Sequence, residues 1–180
     1  VIVEQTAHVT LFQRTPSWVR PVHRYLDEMV PQIAWLDRNL PFHTNFMRFR
    51  NCYGSDGFAR LTTIDPGFDD PHACSPSNKA ARDACLAFLD RKIADPNLRA
   101  VMTPEHPVWS ARAIMVDPEY SILDAIQRDN VTLVTDGIER ITPNGIVTAG
   151  TEHELDIIAF ATGFKANDYL WPMEVRGIGG

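Results

Sequence analysis

An apolar run near the end of the chain, residues 155–161, has hydrophobic side chains at six of its seven positions. It follows Glu154 and gives way to Thr162, Gly163 and Phe164. A short apolar run without alternation is typical of a strand buried on both faces of a parallel sheet. Because ligands bind beyond the carboxyl ends of such strands, the pattern predicts that Thr162 and Gly163 border a cofactor cleft. The alternative is a buried strand that ends in an ordinary glycine turn.

Residues 8–13 are rich in β-branched and aromatic side chains, which predicts a second strand that ends before Pro16. Residues 1–6 before it have the pattern of the last turns of a helix. Gln13, Arg14 and Thr15 follow the strand. In a dinucleotide-binding βαβ unit this position reaches the adenosine ribose, and an arginine there accommodates the 2′-phosphate of NADP. Arg14 therefore fits NADP, although an isolated arginine after a strand is more often an ordinary surface residue.

Apolar residues at helical spacing fill the region between residues 17 and 51, with a break or kink at Pro31. This region is either a helical pair that covers a core or one wall of a substrate cleft. The density of turn-forming residues between 53 and 77 predicts a long loop. Ser77 is the expected N-cap of an amphipathic helix over residues 78–94.

The segment from residue 102 to Arg112 has no periodicity, and its prolines favour extended backbone. Asp117 and Pro118 then predict the start of a short helix. Strands are expected over residues 131–135, 137–142 and 146–148, with turns at 143–145 and 150–153. The last third is therefore predicted to be a β-meander that leads into the apolar run.

Composition, charge and cysteine spacing argue against several classes of protein. A chain of 180 residues that is 44% hydrophobic and 22% charged is typical of a globular protein with one good core or two small ones. The net charge of -6 argues against a nucleic-acid partner. Without an apolar run of bilayer length or a signal-peptide pattern, we expect a cytoplasmic protein. The cysteines and histidines have the spacing of neither a disulfide framework nor a metal site, so no metal is expected.

Three blocks of sequence carry a resemblance to a known family. They are HVTLFQRTPSWV at residues 8–19, SAR at 110–112 followed by DNVTLV at 129–134, and ELDIIAFATGF at 154–164. In this order and spacing, the chain resembles the flavin-containing monooxygenases, and within them the Baeyer–Villiger branch. The likeness is greatest to enzymes of the 4-hydroxyacetophenone monooxygenase type and extends over nearly the whole chain.

The resemblance implies an α/β fold, a partial Rossmann-like NADP domain with a helical insert, followed by a β-meander that leads to a strand of the FAD domain. Residues 1–20 and 101–150 would belong to the NADP domain and residues 21–100 to the insert. Residues 151–180 would form the linker and the start of the C-terminal part of the FAD domain. The glycine-rich phosphate loops of the family do not occur in this sequence, so we expect an internal piece of a longer enzyme that is inactive alone.

The family chemistry implies FAD and NADPH as cofactors, and a ketone and O₂ as substrates that give an ester or lactone. By resemblance, Arg112 is the active-site arginine. Oxygen insertion passes through anionic species, which a permanently charged guanidinium stabilises better than an amine that can lose its proton.

The resemblance also assigns the cofactor contacts. Arg14 and Thr15 would bind the 2′-phosphate of NADP, and Gln13 would lie beside the adenosine. The end of the apolar run would border the cofactor cleft through Ala161, Thr162 and Gly163.

One position departs from the family pattern. Many relatives have a lysine immediately before the active-site arginine, whereas this chain has Ala111. A strict preference for NADPH is therefore in doubt. Two alternatives stay open at this point: a flavin monooxygenase that oxidises nitrogen or sulfur, and a non-catalytic remnant that serves as a binding or interaction domain.

Overall fold

A computed structural model describes residues 2–54, 56–163, 172–173 and 176–179. The chain divides into two compact units, Val1–Thr135 and Asp136–Gly180. Phe164, the last residue of the third sequence block, lies outside the described residues.

The first unit combines helices with short strands. A 3-10 turn at Ile2–Glu4 replaces the predicted helix end. The strands of this unit are β1 (Val9–Phe12), β2 (Val19–Pro21), β3 (Ile114–Val116) and β4 (Val131–Val134). Its helices are α1 (Pro31–Asn39), α2 (His43–Tyr53), α3 (Asp56–Thr62), α4 (Pro76–Lys92), α5 (Pro96–Val101) and α6 (Ile122–Ala125).

The strands of the first unit form two parallel pairs. β1 pairs with β4, so that Phe12 lies opposite Val134 and the carboxyl ends of both strands point the same way. β2 pairs with β3 in the same sense, with Val19 opposite Ile114. The predicted strands at residues 8–13 and 131–135 are confirmed, and their parallel pairing agrees with an α/β fold.

The helical pattern predicted from residue 17 is wrong up to Pro31, where α1 begins. Pro21 disfavours helical backbone at Arg20, and the carbonyl of Trp18 accepts a hydrogen bond from the amide of Ile114. Pairing with β3 therefore holds this segment extended. From Pro31 onward the predicted helical structure is confirmed as α1 and α2, but no residue of either helix is buried, so the expected cover over a core is not formed.

Helix α4 begins earlier than predicted. Ser75, rather than Ser77, is its N-cap: the Ser75 hydroxyl accepts a hydrogen bond from the amide of Asn78 at 3.1 Å, and Pro76 occupies the first turn. The buried side chains of Phe88 and Leu89 pack into the main core of the unit. The other members of that core are Val19, Ile93, Met102, Val116, Leu123 and Ile126.

Other boundaries also shift. The predicted loop between residues 53 and 77 contains α3. The short helix predicted at Asp117 begins instead after Ser121, because Ser121 and Asp124 form a reciprocal capping box. The carboxylate of Asp117 instead accepts from the amide of Glu119 at 2.9 Å, in a local turn, and from the amide of Leu26 at 3.4 Å.

The second unit contains the predicted meander. Its antiparallel strands are β5 (Ile138–Thr142), β6 (Gly145–Thr148) and β7 (Thr151–Glu154). The turn expected over residues 150–153 is wrong, because the chain reverses at Ala149 and Gly150, both at positive φ, and then continues as β7.

The strand predicted at residues 155–161 is also wrong. Only the first residue extends the sheet, since the amide of Leu155 donates to the carbonyl of Asn144 at 2.9 Å. Beyond it the described backbone is irregular, and the side chains of Ile157 and Phe160 are 84% and 73% exposed. An apolar strand needs sheet neighbours on its edges and packing on both faces, and the described part of this unit supplies neither.

Candidate functional site

The loop between α5 and β3 carries Arg112 and has an ordered path. Its Val108 side chain is only 2% exposed. Trp109 adopts a left-handed backbone conformation with φ of 70°. Ser110 turns the chain back, since both its amide and its hydroxyl donate to the carbonyl of Pro107. A non-glycine residue at positive φ persists only where its surroundings hold it, so this geometry is imposed by contacts around the loop.

Side chains from distant parts of the sequence provide those contacts. The indole Nε1 of Trp18 donates to the carbonyl of His106 at 2.8 Å. The amide Nδ2 of Asn78 donates to the carbonyl of Val108 at 2.7 Å. Trp18 and Val108 also belong to a second buried cluster, together with Cys85 and Ala113. The loop is therefore fixed by the residue that precedes β2 and by the first turn of α4.

The outer side of this loop borders an open cleft of about 690 Å³. The cleft is lined by Tyr25, Trp109, Ser110, Ala111, Arg112, Ala113, Ile114 and Met115. Ile114 and Met115 are 39% and 46% exposed, so the lining combines accessible apolar side chains with one guanidinium group. Such a mixture suits a small organic molecule with one polar group.

The cationic group of this cleft is available to a ligand. Arg112 is exposed, and no carboxylate of a described residue lies within 4.0 Å of its guanidinium. The guanidinium carbon of Arg20 lies 5.6 Å from the ring centroid of Trp109, which places a second positive charge beside the loop. The cleft therefore favours an anion or a developing negative charge.

The predicted NADP contacts lie where parallel strands end. The amide of Gln13 donates to the carbonyl of Val134 at 2.8 Å, which extends the β1–β4 ladder by one step. The Gln13 side chain donates to the carbonyl of Val101 at 3.4 Å, whereas Arg14 and Thr15 are exposed. The structure thus places all three in the same unit as Arg112, with both exposed side chains free to meet a ligand.

The other predicted cofactor residues belong to the second unit. Ala161, Thr162 and Gly163 are exposed and lie in irregular backbone. Gly163 has φ of 85°, a conformation that glycine adopts without strain. The role of Gly163 beside a cofactor stays a prediction, and the strand expected to lead into it is not formed.

Sequence reasoning missed Asn78 and underestimated Trp18. Asn78 was counted only as the first residue of a helix, and its partners are backbone atoms far away in the sequence. Trp18 lies within the first of the three sequence blocks, and this position is the feature of the sequence that could have indicated its role. The Cys85 thiol is buried in the second cluster, and this burial raises its pKa although Arg20 opposes the shift.

A smaller cleft of about 340 Å³ lies at the turn between α1 and α2. There Asp37 accepts hydrogen bonds from His43 at 2.6 Å and from Thr44 at 2.9 Å. These bonds lower the pKa of the Asp37 carboxyl. The group closes the turn between the two helices, so we assign it a structural role.

Among the described residues, no group of histidine, cysteine and acidic side chains is arranged to hold a metal ion. The described helices also include none that is long and apolar enough to cross a membrane.

No family model matches the chain. Among curated proteins, it is 36% identical over 175 residues to an uncharacterized monooxygenase of Mycobacterium tuberculosis, a match that covers 94% of this chain and 31% of that protein. It is 30% identical over 164 residues to a Baeyer–Villiger monooxygenase of Pseudomonas aeruginosa, covering 90% of this chain and 28% of that enzyme.

Two solved structures have a fold similar to that of this chain. A crystal structure of OTEMO with bound FAD superposes with a TM-score of 0.63 at 26% identity, covering 92% of this chain and 36% of OTEMO. A second OTEMO structure, a complex with FAD and NADP, gives 0.59 at 24% identity and covers 91% of this chain and 35% of OTEMO. The chain thus spans about a third of the length of these proteins. Its relatives are thus named monooxygenases, one of them a Baeyer–Villiger monooxygenase, and its structural neighbours bind FAD.

Proposed function

We propose that the chain is a piece of an FAD- and NADPH-dependent Baeyer–Villiger monooxygenase, which inserts one oxygen atom of O₂ beside a ketone to give an ester or lactone. The relatives support the reaction class. The observation that carries the proposal is Arg112, a cation on a fixed loop at the edge of an apolar cleft, with no carboxylate of a described residue within 4.0 Å. We keep the 4-hydroxyacetophenone monooxygenase type as the proposed branch, on the strength of the three sequence blocks alone.

The proposed domain assignment follows the strand pairing. β1 lies in residues 1–20 and β4 in residues 101–150, and their parallel pairing supports a shared NADP domain. Helices α1 to α4 fall within residues 21–100 and support an insert. Residues 151–180 would lead into the FAD domain.

NADP fits the residues at the end of β1. Arg14 is exposed, has no described carboxylate within 4.0 Å and follows a strand of a parallel pair, where a guanidinium can present its donors to phosphate oxygens. The hydroxyl of Thr15 would add a further donor, and Gln13 would lie beside the adenosine. Ala161, Thr162 and Gly163, in the second unit, would be further cofactor contacts.

Bound FAD would supply the oxygen chemistry, and the chain would supply position and charge. The apolar side chains of Ile114 and Met115 would hold the carbon skeleton of a ketone and exclude water. Arg112 would donate hydrogen bonds to the substrate oxygen as negative charge develops on it. A fixed positive group of this kind stabilises the transition state more than the ground state, which is the condition for faster catalysis.

Product analysis on the full-length enzyme tests this proposal. We expect an ester or lactone from a cyclic or aryl ketone, with one NADPH consumed for each product molecule. A thioether offered under the same conditions separates this reaction from a sulfur-oxidising enzyme. Sulfoxide formation without any ester would contradict the proposed reaction, and loss of both products would favour a non-catalytic remnant.

A further inference from the structure

Asn78 is a polar side chain that is wholly enclosed, with 0% exposure, in the first turn of α4. A primary amide has two N–H donors, and both are used here. Nδ2 donates to the carbonyl of Leu61 at 2.8 Å and to the carbonyl of Val108 at 2.7 Å. The oxygen Oδ1 accepts no hydrogen bond from the described residues. The hydrogen bonds of this side chain to the described residues are therefore made by its two N–H donors.

The two carbonyl groups belong to segments that are far apart in the sequence. Leu61 lies in α3, whereas Val108 lies in the loop that carries Arg112. The backbone of Asn78 is fixed as well, because its amide donates to the hydroxyl of Ser75. One rigid amide thus ties the loop to the start of α4 and to α3.

The hydrogen bond to the Val108 carbonyl lies immediately before the part of the loop that carries Arg112. The next residue, Trp109, has the left-handed conformation, and its side chain lines the cleft together with Arg112. Without the Asn78 donor, the Val108 carbonyl would be a buried acceptor with no partner. A movement of the loop that exposes this carbonyl to water would then be favourable, because water can donate the missing hydrogen bond. Such a movement would take Trp109 and Arg112 with it.

We propose that Asn78 is a positioning residue for Arg112: through the Val108 carbonyl it fixes the direction in which the guanidinium enters the cleft. This inference rests on the proposed catalytic role of Arg112. Trp18 anchors the same loop at His106, upstream of Val108. Asn78 is the anchor immediately before Trp109, while Arg20 contacts the Trp109 ring and the bond from the Ile114 amide to the Trp18 carbonyl fixes the chain after Arg112.

The test compares Asn78→Ala with Asn78→Ser in the full-length enzyme, because serine retains one donor. Asn130→Ala is the matched control: the Asn130 amide also donates to backbone carbonyls, at 2.8 Å to Val3 and 3.4 Å to Thr6, but away from this loop. The measurements are kcat and KM for the ketone, and amide hydrogen exchange across residues 107–113. If Asn78→Ala does not fold, Asn78→Leu provides a side chain of similar volume without donors.

We expect Asn78→Ala to lower kcat by about 10- to 100-fold, since a displacement of the order of 1 Å at a catalytic group has that effect. KM should stay within about threefold, because the apolar lining of the cleft remains. Exchange of the loop amides should become at least about tenfold faster, as expected for loss of a local restraint. Asn78→Ser should give an intermediate kcat, and Asn130→Ala the wild-type kcat.

Other outcomes would overturn the inference. An unchanged kcat and unchanged loop exchange in Asn78→Ala would show that the amide does not position the loop, whatever Arg112 does. An equal loss of kcat in Asn130→Ala would show a general effect of stability. If Arg112→Ala retains full activity, the proposed function fails, and the exchange measurement still reports separately whether Asn78 holds the loop.

Discussion

At the scale of single residues, buried and half-buried polar groups fix the segments that the proposed site needs. Asn78 is the clearest case, and Asp124 is a second. Asp124 accepts from the amide and hydroxyl of Ser121 and forms an ion pair with Lys92 at 2.8 Å. Lys92 also donates to the carbonyl of Glu119, so this group joins the end of α4 to α6.

The Asp124 contacts predict a pH dependence of stability. Burial raises the pKa of this carboxyl, but the hydrogen bonds from Lys92 and Ser121 outweigh it and hold the pKa below the ordinary value of 3.8. A folded-state pKa that is lowered contributes stability above the unfolded-state value, and this contribution is lost as the pH falls through the folded-state value.

Asp124→Asn should therefore reduce the free energy of unfolding by about 1–2 kcal/mol at pH 7. The difference between the variant and the wild type should shrink as the pH falls below 3.8. Urea unfolding of the chain at a series of pH values measures this difference. A gap that stays constant, or grows toward low pH, would contradict the assigned role of the carboxylate.

At the scale of elements, the meander of the second unit depends on one close approach between strands. A Cβ atom added to Gly145 in β6 would lie 1.9 Å from the carbonyl oxygen of His153 in β7, which no real structure tolerates. Only glycine allows the two strands to pair in the observed register at this point.

Gly145→Ala should accordingly destabilise the meander by about 2 kcal/mol or more, as overpacking against backbone does. Gly137→Ala is the matched control, because a Cβ atom there meets nothing within 4 Å. The loss of stability is measured by hydrogen exchange of the backbone amides in β6 and β7. Equal protection in both variants would mean that the strands can separate at little cost.

The elements also show which features the sequence could predict. The local patterns of β1, β4, β5 and β6 predict these strands nearly to the residue, whereas α4 begins two residues earlier than predicted and β7 forms where a turn is expected. β2 was missed because it is extended only through its pairing with β3, which lies far away in the sequence. The loop bearing Arg112 was recognised by its prolines, whereas its anchors join backbone carbonyls that leave no trace in the residue pattern.

The apolar run at residues 155–161 failed as a strand prediction for a different reason. Its pattern describes burial on two faces, and burial depends on the neighbours that a strand meets. We expect these residues to be protected from hydrogen exchange in the full-length enzyme and to exchange freely in the 180-residue chain. Equal exchange in both would contradict the proposal that they enter an FAD domain.

At the scale of the whole molecule, the chain spans about a third of the proteins that it resembles. It carries Arg14, Thr15 and Arg112 but none of the family's glycine-rich phosphate loops. We therefore predict that the purified 180-residue chain does not retain FAD. The visible absorbance of flavin in the purified chain measures this, and stoichiometric flavin would contradict the prediction.

The proposed function depends most on Arg112, which we propose stabilises the negative charge that develops during oxygen insertion. The most direct test is the rate of ester formation from a ketone by the full-length enzyme with Arg112→Ala, beside Arg140→Ala as a control at an exposed arginine of the second unit. We predict that Arg112→Ala lowers kcat by about 10²–10³-fold or more, as loss of a charge-stabilising donor does, while Arg140→Ala keeps the wild-type rate. Ester formation at the wild-type rate by the Arg112→Ala enzyme would contradict the claim.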